Sequence, residues 1–116
     1  MQKRIIPCIF ISAIIISSQL ISCKKDTVSP TCDGTNSTYT SNIKTIIDNN
    51  CLSSGCHGSG SSNGDFTTYE GLKTYCDNGK FQSQVLDNQT MPKGSSLSSD
   101  QLNKIQCWID NGYPKN

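Results

Sequence analysis

The 116-residue chain is short of most things from which a large core or a charged binding surface is built. Net charge is almost absent, with ten Lys and Arg against nine Asp and Glu. Phosphate binding needs a basic surface, so nucleic acid is not an expected partner. Apolar residues are also scarce where a core is needed. They make up 34% of the chain, and thirteen of them fall within the first 22 residues. The remainder supports one small domain with a thin core. No stretch alternates strictly between apolar and polar residues, so no strand is expected. Histidine occurs once, as His57, and methionine twice, as Met1 and Met91. Cysteine alone is plentiful, at seven. That count argues against a reduced cytosolic setting. A small, poorly cored domain rich in Cys needs disulfides, a metal or a cofactor.

Residues 1–22 read as an export signal. Lys3 and Arg4 precede an apolar stretch from Ile5 to Ile21, interrupted by Pro7, Gln19 and serines. The stretch is slightly short for a spanning helix and ends in polar residues. Leu20-Ile21-Ser22-Cys23 resembles the lipobox of bacterial lipoproteins. That resemblance implies lipidation of Cys23, which would become the mature N-terminus, and a domain tethered to a membrane by acyl chains. Residues 23–38 are polar, contain Pro30 and Gly34, and have no apolar period, so they read as a flexible linker.

Residues 39–116 read as the folded domain, all-α, with three or four short helices and long loops. Ile43, Ile46 and Ile47 share a helical face, with Ser41 as the expected N-cap and a stop near Asn49 or Asn50. Tyr69, Leu72, Lys73 and Cys76 define a second helix, and Phe81, Val85 and Leu86 a third. Pro92 and Gly94 place Met91 in an extended loop. Ser98 and Gln101 form a capping box for the last helix, with Leu102, Ile105, Trp108 and Ile109 on one face and Asn111-Gly112 as its stop. Cys107 falls on nearly the opposite side from that face and is expected to reach toward another cysteine. Loops this long in a small domain suggest that something else fills its middle.

The chemistry is concentrated in Cys51-Leu52-Ser53-Ser54-Gly55-Cys56-His57. Two thiols can add across the vinyl groups of haem while an adjacent His ligates the iron, which is why Cys-x-x-Cys-His reads as covalent haem attachment. Here the spacing is Cys-x4-Cys-His, and the small Ser53, Ser54 and Gly55 can loop out. A soft thioether on the opposite face suits electron transfer. Met91, thirty-four residues after His57, is the candidate once Met1 is lost with the signal.

The order of these parts resembles the small cytochrome c domain found on bacterial lipoproteins. The shared features are a helix, Cys51-Cys56-His57, a glycine-rich loop, Tyr69-Glu70-Gly71-Leu72, Met91-Pro92, and Leu97-Ser98 leading to Trp108-Ile109-Asp110-Asn111-Gly112. The resemblance spans residues 39–116. It implies haem c bonded to Cys51 and Cys56, with iron held by His57 and Met91, and first and last helices packed across each other. It further implies a one-electron carrier rather than an enzyme. Its partner would be a redox protein of the bacterial cell envelope, met at the periplasmic face of the outer membrane. The wider thiol spacing departs from the family pattern. In this scheme Cys76 and Cys107 have no haem role, and an oxidising compartment makes a disulfide between them the simplest expectation, with Cys32 left over. Trp108 is expected to pack near the haem edge.

Two other readings stand beside this one. Cys51 and Cys56 suit a plain disulfide in a haemless envelope lipoprotein that acts as a binding module. Zinc held by Cys51, Cys56, His57 and one of Cys76 or Cys107 is disfavoured, because neighbouring residues have difficulty bonding one tetrahedral ion.

Overall fold

The computed structural model describes residue 32 and residues 37–116. The expected signal at residues 1–22, lipidation at Cys23 and most of the linker at residues 23–38 lie outside the described residues. The described residues are helical and contain no strand. Among them, no helix is long and apolar enough to cross a membrane.

The first helix, α1, runs Lys44–Asn50 and is entered through a π-helical turn at Tyr39–Ile43. Its cap lies earlier than the sequence predicts. Thr38 Oγ1 accepts from the Ser41 amide, and Ser41 Oγ accepts from the Thr38 amide, so Ser41 is the second member of the box rather than the cap. Ser37, assigned from sequence to the linker, is fully buried, and its hydroxyl donates to the Lys104 carbonyl at 2.9 Å.

Helix α2 spans Tyr69–Asp77, with the Thr68 hydroxyl accepting from the Gly71 amide. Helix α3 is a short turn at Lys80–Gln82 that continues into a π-helical turn at Ser83–Asp87. Helix α4 spans Ser99–Asp110 and has the predicted capping box of Ser98 and Gln101.

The core gathers Ile43 and Ile47 from the first helical segment, Leu72 from α2, and Ile105 and Trp108 from α4, all with at most 1% exposure. Leu102 and Ile109 pack on its margin. Trp108 donates from Nε1 to the Pro114 carbonyl and stands edge-on to Phe81 and Tyr113. The chain after α4 folds back over this core. Tyr39 and Thr40 donate their amides to Pro114 and Lys115 carbonyls, and the Tyr69 hydroxyl donates to the Tyr113 carbonyl. Lys115 pairs with Glu70 at 2.7 Å. Each buried polar group of Trp108, Tyr69 and the first turn therefore has a partner, as burial requires.

The cysteine pairing corrects the sequence reading. Cys107 is bonded to Cys32, 75 residues away, and Cys76 is a buried thiol. The physical reason is which side of its helix each residue occupies. Cys76 lies four residues after Leu72 on the face of α2 that joins the core. Cys107, though buried, stands outside that apolar cluster. The hydrogen bond from Ser37 to Lys104 brings the segment before α1 alongside α4, within reach of Cys107.

Candidate functional site

Helix α1 ends at Cys51, whose amide donates to the Ile47 carbonyl at 2.8 Å. The segment that follows doubles back on itself. Gly55 takes a left-handed φ of 78°, the Cys56 amide donates to Ser53, and the His57 amide donates to the Cys51 carbonyl at 3.1 Å. The four residues between Cys51 and Cys56 all lie in this turn.

His57 is held on three sides. Its carbonyl accepts from the Phe66 amide at 2.9 Å, and its imidazole lies flat on the Phe66 ring, with centroids 4.1 Å apart and planes 3° from parallel. Nδ1 lies 3.3 Å from the Gly64 carbonyl oxygen. A carbonyl can only accept, so this contact calls for a proton on Nδ1, and in the neutral ring that leaves the lone pair on Nε2. Orientation of a ligating His through its other nitrogen is the usual second layer of a metal site.

Gly64 is required where it stands. Its φ is 107°, and an added Cβ would lie 2.5 Å from the Tyr75 ring. Gly71 is equally constrained, since a Cβ there would come within 1.9 Å of the Asp65 carbonyl oxygen. Its bare backbone lets the loop lie directly on α2. Asp65 ties that loop together by accepting from the Thr67 hydroxyl and from the Thr67 and Gly60 amides. These bonds, the Thr67 hydroxyl first, hold its carboxyl below the usual carboxylate range. Sequence reasoning missed Asp65, Gly64 and Tyr75 as supports. The spacing Asp65-Phe66-Thr67 was the available signal, because an Asp two residues before an acceptor-seeking amide forms such turns.

Met91 comes from the other loop. Thr90 and Met91 both direct their amides to the Gln84 carbonyl, at 2.9 and 3.2 Å. Gln89, with φ of 50°, turns the chain to allow this. Met91 is half-buried and packs on the margin of the core.

Cys51, Cys56, His57 and Met91 all line one cavity of about 720 Å³. That volume falls within the roughly 300–1,000 Å³ typical of ligand and cofactor pockets. Ile46, Phe66, Phe81, Val85 and Leu97 supply much of the apolar wall. Burial, and to a lesser degree the neighbouring Cys56, push the Cys51 thiol up to about 11, so it is a neutral thiol at physiological pH. Trp108 does not line the cavity; it packs one layer behind, against Phe81. Cys76 and Cys107 do not line it either. Among the described residues, no group of three His, Cys, Asp or Glu side chains is placed to hold a metal ion.

The cavity presents one imidazole with its Nδ1 facing the Gly64 carbonyl, one thioether, two thiols and an apolar wall, donor types that would suit a c-type haem. No family model, curated protein or solved structure matches the chain.

Proposed function

We propose that the chain is a membrane-tethered monohaem c-type cytochrome that carries one electron at a time. The carrying observation is the convergence of the chain's only histidine, Met91 and the thiols of Cys51 and Cys56 on a single apolar cavity. In this reading Cys51 and Cys56 would hold the porphyrin by adding their thiols across its vinyl groups, and His57 Nε2 and the Met91 sulfur would ligate the iron. The bound haem c supplies the one-electron couple. The Gly64 carbonyl and the Phe66 ring fix the angle of His57, and the Gln84 carbonyl anchors the Met91 loop. With His57 and Met91 both ligating, the iron would have no open position for substrate, which suits a carrier rather than an enzyme.

The partner is a redox protein of the bacterial envelope, met through a small transient interface. Lipid on Cys23 tethers the domain at the periplasmic face of the outer membrane. Only eight residues separate Cys23 from Cys32, where the disulfide to α4 begins.

The test is an absorption spectrum of the protein made in cells that attach haem, reduced and then repeated in alkaline pyridine. The expected result is sharp reduced bands with haem still on the denatured chain, the band position reporting one thioether or two. A colourless product overturns the reading. It would leave the haemless, disulfide-stabilised envelope module, for which the bond between Cys32 and Cys107 is the supporting observation.

A further inference from the structure

The described residues contain six lysines and no arginine. Four of these, Lys44, Lys73, Lys104 and Lys115, each pair with a carboxylate at 2.6 to 2.8 Å. Lys80 and Lys93 have no ion pair. They are also the two lysines that line the cavity. None of the described residues lining it is acidic. Both side chains are exposed, so they stand at the mouth and not in the apolar wall. They approach from separate elements, Lys80 opening α3 and Lys93 two residues beyond Met91.

This distribution is selective. Elsewhere on the domain a lysine finds its acid, commonly four residues along the same helix as in Lys44 with Asp48 and Lys73 with Asp77. Among the described residues, only the lysines at the cavity mouth are left without a protein counter-charge. An apolar cavity with two unmatched cations at its rim suits a ligand that is apolar through its body and anionic at one edge.

We infer that Lys80 and Lys93 pair with two carboxylates on one edge of the cavity's ligand, which on the haem reading above are the two porphyrin propionates. Each pair is solvent-exposed, so each contributes modestly. Together they orient the ligand, holding its carboxylate edge at the mouth while its body enters among Ile46, Phe66 and Phe81.

The experiment titrates the full-length apoprotein, made without haem attachment, with iron protoporphyrin and separately with its dimethyl ester. Heme absorption reports binding. The wild type should favour the free dicarboxylate over the diester by about five- to tenfold, the range two exposed ion pairs supply. Lys80→Gln with Lys93→Gln should erase that preference while leaving diester affinity unchanged, and Lys80→Arg with Lys93→Arg should keep it. Lys44→Gln, remote from the cavity, serves as control and should match the wild type. Equal binding of acid and ester by the wild type, or a preference that survives the double Gln variant, overturns the inference and leaves the haem reading standing. Failure of both porphyrins to bind overturns the inference, while the haem reading stands or falls on the pyridine spectrum described above.

Discussion

The helical framework and the cavity loops use their polar groups in opposite ways. In the framework of α1, α2, α4 and the chain after α4, polar groups are spent inside the protein. Trp108 is tied to Pro114, Tyr69 to Tyr113, Ser37 to Lys104, and four lysines to four carboxylates. In the loops around the cavity, Asp65, Thr67 and Ser61 are spent that way, but the side chains on the cavity wall are not. The side chains of Cys51, Cys56, Met91, Lys80 and Lys93 are left facing a shared space, and His57 uses one of its two ring nitrogens. The framework is consistent with itself, whereas the loops leave these side chains on the wall of one cavity. A domain with so few apolar residues would gain contact area from an apolar ligand bound there.

The largest loss is expected where the framework is densest. Trp108→Ala removes a fully buried side chain and strands the Pro114 carbonyl. It should cost about 3–5 kcal/mol, read by denaturant unfolding of the apoprotein. A cost below about 1 kcal/mol would mean that the framework does not carry the stability assigned to it here.

A smaller effect is expected at the junction of the two regions. Gly64→Ala forces a Cβ against the Tyr75 ring at a left-handed φ. A loss of about 1–3 kcal/mol should follow. The displaced carbonyl should also release His57 Nδ1, visible as a change in the imidazole NMR signals. Loss of stability with unchanged imidazole signals would separate the loop's packing from its hold on His57.

At neutral pH the smallest effect is expected at a buried thiol, and it grows only in alkali. Burial raises the Cys76 thiol to about 12, with the Asp77 charge adding to it, while an unfolded Cys ionises near 9. Between those values the unfolded chain releases a proton that the folded one retains. Stability is therefore intact below about pH 9 and declines as pH rises toward 12, by at most about 1.4 kcal/mol per pH unit for this thiol. Cys51 behaves similarly up to about 11. Cys76→Ala should make the alkaline decline shallower in chemical unfolding series, and an unaltered slope would remove Cys76 from the account.

Local patterns in the sequence carried much of the framework. Helix α4 was legible to the residue, because a capping box, an i, i+3, i+4 apolar face and an Asn-Gly stop are all short-range signals. Gathering Cys51, Cys56, His57 and Met91 was legible too, through the chemistry that unites those residue types. What escaped depends on distant neighbours. The partner of Cys107 is decided by where the segment before Thr38 runs, which no spacing encodes. The need for glycine at positions 64 and 71 comes from Tyr75 and Asp65 lying against them, again a matter of tertiary approach. The entry of the first helix was misread by three residues because Ser41 and Thr38 are equally good caps by composition, and only the π-helical turn decides between them.

The bond between Cys32 and Cys107 makes the domain a covalent ring with one short end beyond α4. Helices α1, α2 and α3, both cavity loops and most of α4 lie within its circumference. A single backbone cut in the exposed stretch around Ser54 or Ser96 would open this ring without dividing the molecule. The loops that face the cavity can thus be the least regular part of the chain while their two sides stay joined by bonds as well as by packing.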